Sequence, residues 1–138
     1  MMVLKEYKAV VLKLKIKVLV DIAKYPHVTL RKDQALKFLD AITRRHGVTK
    51  DLEEARRVIY SFNEYYGAAR RKSDGYLVIP KDSSDAVRGR VVIHKIKLLI
   101  ENNEEIVEII LDRRVSKGLI EYALKEIGYS EIEYSQID

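Results

Sequence analysis

The chain has no cysteine. Disulfides, zinc–thiolate centres and cysteine nucleophiles are excluded together. Histidine is almost as scarce. His27, His46 and His94 lie far apart and in no ligand spacing, so no metal site is expected. Asn and Gln total five, while charged residues reach 34%. Few thermolabile amides beside many ionisable groups is a hyperthermophile bias, and a thermophile-like source is expected. No apolar run approaches the ~18 residues of a membrane span. Lysines interrupt the apolar N-terminus, which is unlike a signal peptide. A soluble cytoplasmic protein without a membrane partner is the expectation. The signatures G-x-x-x-x-G-K-[ST], G-x-G-x-x-G, H-E-x-x-H and G-x-S-x-G are all missing. No catalytic residue and no cofactor are expected.

What is present is a lopsided charge. Residues 1–100 carry 22 Lys and Arg against 11 Asp and Glu, and residues 101–138 carry 4 against 10. The overall +5 therefore hides a basic body and an acidic tail. Partners feel the local field more than the total. A split of this kind predicts a polyanionic partner for the body, or a contact between the two ends.

Apolar residues make up 47% of 138, enough for a core in one domain. The class expected is α+β. A basic strand, helix–helix and hairpin body over 1–82 would precede a strand and acidic helix lobe over 86–138. Val10 to Val20 reads V-V-L-K-L-K-I-K-V-L-V, whose period of two predicts a strand, with a lysine-rich helix as the competing reading. Thr29 to His46 predicts a helix capped by Thr29 and ended by Gly47, with Ala35, Leu36, Leu39 and Ile42 inward and Phe38 at the edge. Asp33–Lys37 and Asp40–Arg44 have the favourable i,i+4 order on its outer face. Lys50 to Tyr66 predicts a second helix, capped by Thr49 or Asp51 and closed by Gly67. Asp74-Gly75 is a hairpin signal. Pro80 followed by Lys81-Asp82-Ser83-Ser84-Asp85 reads as a linker.

Val91 to Ile100 is β-branched and partly alternating, and loosely echoes the first strand. Glu101-Asn102-Asn103-Glu104 is turn-like, and Ile106 to Leu111 is a strand or a helical turn. Ser116 predicts the cap of a helix over Lys117 to Ile127 that Gly128 ends, and Glu131 to Ile137 alternates as a last short strand.

Helix, turn, helix and hairpin from Thr29 to Pro80 resembles the second half of a winged-helix DNA-binding domain. In that class a recognition helix enters the major groove and a basic hairpin touches phosphates. The resemblance implies Arg70, Arg71 and Lys72 on the hairpin, with Arg44, Arg45 and Lys50 flanking the inter-helix turn. Two features depart from it: a long first helix, and the outward carboxylates Glu53 and Glu64 on the second. An ordinary helical hairpin with ion pairs such as Glu53–Arg57 would have the same pattern. A helix-turn-helix pattern around Val115-Ser116 is disfavoured, since Arg114 and Ile110 occupy its small-residue positions and the surrounding charge is negative.

Further basic groups are Lys13, Lys15 and Lys17, Arg56-Arg57, Arg88 and Arg90, and Lys95 and Lys97. If the first and last lie on adjacent strands they form one cationic sheet face. Nine tyrosines offer stacking surfaces, with Tyr60, Tyr65 and Tyr66 close to arginines, an interleaving suited to single strands. The function expected is nucleic-acid binding, DNA above RNA, in a small regulatory or accessory protein. Contact would be electrostatic, through Arg44, Arg45, Lys50, Arg56, Arg57, Arg70, Arg71, Lys72, Arg88 and Arg90. The alternative is a homo-oligomeric assembly or adaptor protein whose basic body docks a neighbour's acidic tail. A small metal-dependent nuclease using Asp74 and Asp85 comes third, since such chemistry needs converging carboxylates.

Overall fold

The computed structural model of the chain describes residues 14–21, 25–71 and 74–137. The elements run β1 (Leu14–Asp21), β2 (Pro26–Arg31), α1 (Lys32–His46), α2 (Lys50–Tyr60), α3 (Phe62–Arg70), β3 (Tyr76–Val78), α4 (Ser83–Val87), β4 (Ile93–Glu101), β5 (Glu104–Leu111), α5 (Lys117–Glu126) and β6 (Tyr129–Ile137). The class is α+β. Six strands form one sheet in the order β3-β4-β5-β2-β1-β6. Neighbours are antiparallel except β1 and β6, which run parallel. No described helix is long and apolar enough to cross a membrane.

The period-two pattern sets one face of this sheet inward. Val28 and Leu30 of β2, Ile96 and Leu98 of β4, and Val107 and Ile109 of β5 are buried in one cluster. Phe38, Leu39 and Ile42 of α1, Ile59 of α2, Phe62 of α3, and Ile120 and Leu124 of α5 complete that cluster. Burying such side chains stabilises the fold by roughly 1.5–3 kcal/mol each. Of the α1 stripe expected from sequence, Ala35, Leu39 and Ile42 are buried and Leu36 is half-buried; Phe38, expected at the edge, is fully buried, and Ala41 joins them. Ser116 caps α5 by accepting from the Leu119 N–H at 3.1 Å. Asn102 and Asn103 turn β4 into β5 with φ of 50° and 65°, the left-handed pair of a tight hairpin.

Several expectations are corrected. Thr29 does not cap a helix. It lies in β2 opposite Glu108 of β5, and α1 begins three residues later at Lys32. Cross-strand pairing of a β-branched pair, Val28-Thr29, outweighs the local cap signal. The second helix breaks at Ser61 and continues past Gly67 to Arg70. Glycine there forgoes about 1 kcal/mol relative to alanine, but Ala69 is buried beyond it and Tyr66 stacks on Phe62 at 5.6 Å. No Asp74-Gly75 hairpin is present among the described residues, where the chain before it runs as α3 to Arg70. Asp74 Oδ1 instead accepts from the Tyr76 N–H at 3.0 Å, turning the chain into β3, which pairs with β4. Among the described residues of 29–80 no hairpin follows the helices; β3 pairs instead with β4, beyond this stretch. The linker stretch holds α4, capped by Asp82, which accepts from the Asp85 N–H at 3.1 Å. Val10 to Lys13 of the first strand lie outside the described residues.

The two ends of the charge split meet in the sheet. Parallel pairing puts Lys15 in register with Glu131 and Lys17 with Glu133. The acidic C-terminal strand thus lies along the basic N-terminal one of the same chain.

Candidate nucleic-acid interface

One end of the sheet, where β4 begins and β5 ends, gathers three connections, α1–α2, α4–β4 and β5–α5. Thr49 takes the capping role at α2, its Oγ1 accepting from the Leu52 N–H at 3.4 Å. That leaves Asp51, fully buried in the first turn, to serve another element. Its Oδ2 accepts from the N–H groups of Val92 and Ile93 at 2.7 and 2.8 Å, fixing the start of β4 to α2. A reciprocal clasp sits beside it. Arg90 Nη2 donates to the His46 carbonyl at 2.9 Å, and His46 Nε2 donates to the Arg90 carbonyl at 2.8 Å. Gly47, with φ of +99°, lets them close, since a Cβ there would stand 2.8 Å from Arg90 Nη2. Asp85 bridges the same loops: its carbonyl accepts from the Arg90 N–H at 2.8 Å and its Oδ2 from the Lys50 N–H at 3.4 Å. The Asp112 N–H donates to the Val92 carbonyl at 2.7 Å, bringing in the loop after β5. Arg114 lies beside Gly89, its Nη1 3.4 Å from where a Cβ would be, and its Nε is 3.4 Å from Asp112 Oδ1.

Arg45, Lys50, Arg88 and Arg90, all expected to contact nucleic acid, sit at this end. Arg45 lies over the Tyr122 ring, 4.5 Å from its centroid. Cation–π packing holds the guanidinium in place without cancelling its charge. The side chains of Lys50 and Arg88 are exposed. Arg113 and Arg114 join them, and sequence reasoning missed both by counting them within the acidic tail. The signal was local: two consecutive arginines directly after an apolar strand.

The remaining expected residues lie elsewhere. Arg44 lines a shallow cavity of about 400 Å³ with Lys37, Asp40, Glu126, Ile127 and Gly128. Arg56 donates to both oxygens of Asp40, at 2.8 and 3.3 Å. That hydrogen bond raises its pKa further above the ordinary arginine value. Asp40 thus turns to α2 rather than to Arg44. Arg57 pairs with Glu54 at 2.6 Å, in place of Glu53, and also donates to the Tyr65 hydroxyl. A phosphate approaching Arg56 or Arg57 would meet these carboxylates as well.

Arg70 packs over Tyr66 at 5.7 Å, and Arg71 ends α3. Lys72 lies outside the described residues. Tyr76 faces Lys97 and Val78 faces Lys95, so β3 begins on the side of the hairpin tip, with Asp74 and Gly75 just before it. Arg88 and Arg90 precede β4 at its other end. The seven positions from Arg90 to Lys97 correspond to a span on the order of 20 Å at strand rise. The expected residues therefore do not form one patch.

The lysine face also resolves differently. β2 and β5 separate β1 from β4, so the two lysine groups are not on adjacent strands. Lys95 and Lys97 lie 4.4 and 5.3 Å from the Tyr76 ring centroid. The Tyr76 hydroxyl donates to Glu108 Oε1 at 2.7 Å, and that oxygen is 3.5 Å from His27 Nδ1. Burial first, then the Glu108 bond, pushes the Tyr76 phenol up to about 12. This face is a network of both signs. Asp74 and Asp85 lie at opposite ends of β4 and do not converge. No protein-family model matches the chain, and no curated protein or solved structure shows significant similarity to it.

Proposed function

We propose that this protein binds nucleic acid without catalysing a reaction on it, holding duplex DNA through its phosphates as a small regulatory or accessory protein. The supporting observation is the gathering of Arg45, Lys50, Arg88, Arg90, Arg113 and Arg114 around one end of the sheet, on loops tied to each other by Asp51, Asp85 and the His46–Arg90 clasp. Cations on pre-ordered loops lose little conformational freedom on binding. They release counterions from the duplex, so affinity falls with salt in proportion to the contacts made. Base-specific readout is not part of the proposal, since phosphate contacts position a protein without reading sequence. Docking of a neighbour's acidic tail is less well supported, because β6 is already hydrogen-bonded along β1 of its own chain.

Fluorescence anisotropy with a duplex of about 20 base pairs, between about 50 and 300 mM salt, tests the reading. Replacing Arg45, Lys50, Arg88 and Arg113 together with alanine should reduce the logarithmic salt slope by about 3–4, at roughly 0.9 per lost phosphate contact. Replacing Arg70 and Arg71 should leave the slope nearly unchanged. Absence of binding by the unmodified protein at about 50 mM salt would overturn the proposal.

A further inference from the structure

The β4–β5 hairpin runs from the cationic end to a tip whose turn is flanked by two glutamates, with Arg31 and Lys32 lining a shallow cavity beside Glu104 and Glu105. At that tip Glu101 stands directly across from Glu104, and both are exposed. Like charges in directly opposed cross-strand positions repel one another. Among the described residues neither carboxylate has an ion-pair partner, whereas the adjacent Glu105 lies 3.7 Å from Lys32. Ile100, beside Glu101, is 46% exposed.

The other end is complementary in both respects. Val48 on the α1–α2 turn is 63% exposed and Val87 at the end of α4 is 87% exposed. They stand among Lys50, Arg88 and Arg90. An apolar residue flanked by carboxylates therefore caps one end of the hairpin, and two apolar residues flanked by cations cap the other.

From this complementarity we propose that the protein self-associates head to tail, the tip of one copy (Ile100, Glu101 and Glu104) seating on the Val48, Lys50, Val87 and Arg88 surface of a second. The occupant is a copy of this chain because both halves of the contact are present on every molecule. The two surfaces differ and lie at opposite ends of the hairpin, so the contact is heterologous. It generates a ring if the rotation closes and a filament if it does not. A hairpin tip is small, so the contact lies below the standard interface size of about 1,200 Å² or more, and association is weak and concentration-dependent. Opposed exposed charges make it sensitive to salt. Binding of DNA to the cationic end would compete with it, but the inference does not rest on DNA binding.

Sedimentation velocity over a range of protein concentrations tests it, at about 50 and about 500 mM salt. Association should appear at low salt and weaken at least about tenfold at high salt. Two variants separate the surfaces: Glu101→Lys with Glu104→Lys, and Lys50→Glu with Arg88→Glu. All four side chains are exposed, and far-UV circular dichroism confirms folding. Each variant alone should lose association, and mixing the two should restore it, since each then offers the end that the other lacks. A wild-type protein that stays monomeric at every concentration at low salt overturns the inference. So does association that survives in the Glu101→Lys, Glu104→Lys variant, or a mixture that fails to reassociate. DNA binding is measured separately. The tip variant should keep it, so failure of one proposal does not entail failure of the other.

Discussion

Asp51 Oδ2 accepts the Val92 N–H at 2.7 Å across 41 positions of sequence, from the first turn of α2 to the residue before β4. The carboxylate is fully buried and takes the Ile93 N–H as well. It satisfies two backbone donors at the start of β4, on Val92 and on Ile93, the strand's first residue.

Replacing Asp51 with alanine leaves those two N–H groups buried and unpaired. A lost charge-assisted acceptor with orphaned donors costs about 2–4 kcal/mol. Asp51→Asn keeps one acceptor oxygen and should lose less. Urea unfolding followed by circular dichroism reads both. An alanine variant as stable as the parent would show that water replaces the carboxylate at little cost.

Gly47 should tolerate no side chain. At φ of +99° a non-glycine residue is strained, and its Cβ would collide with Arg90 Nη2. Gly47→Ala should cost about 1–3 kcal/mol and loosen the His46–Arg90 clasp. Thermal unfolding measures the loss. Arg90→Ala removes the collision, so Gly47→Ala should be milder in that background, a coupling that a double-mutant cycle detects.

Stability should fall as the pH drops below about 6.5. Burial pushes the His94 pKa below its ordinary 6.5, with Lys81 and Lys95 adding to the effect and Asp112 opposing it. Its ring stacks on Tyr25 at 4.4 Å. On the way down in pH the unfolded chain takes up this proton first. The folded state then loses ground, and the contribution present above pH 6.5 fades as pH falls toward the lowered folded value. Melting temperatures between about pH 7.5 and 5.5 should decline for the parent. They should decline less for His94→Phe, which keeps the ring stack. Equal slopes in the two proteins would remove His94 as the cause.

The acidic end strand should act on stability before it acts on binding. Register sets Glu131 beside Lys15 and Glu133 beside Lys17. β1 and β6 run parallel, and an exposed ion pair between such neighbours contributes at most about 1 kcal/mol. Glu131→Gln with Glu133→Gln should therefore lower stability by on the order of 1 kcal/mol, with the DNA salt slope unchanged. A steeper slope without loss of stability would identify the strand as a competitor for DNA.

The sequence by itself determined the elements whose information is local. The α1 stripe of Ala35, Leu39 and Ile42, the Ser116 cap of α5, the Asn102-Asn103 turn and the alternation of β4 are all set within a few residues, by helical or strand period and by side chains that reach their own backbone. Tertiary structure decided the rest. Val28-Thr29 became strand because β5 was there to pair with it. Asp51, the other candidate cap of α2, holds β4 instead because Thr49 fills the cap. Arg56 found Asp40 across two helices in place of a neighbour on its own. The cationic end was hidden for the same reason. Arg45, Lys50, Arg88 and Arg113 are brought together only when α1 ends, α2 begins, β4 starts and β5 finishes at one end of the sheet. Strand order and direction create that meeting point, and neither follows from the periodicity of any single segment.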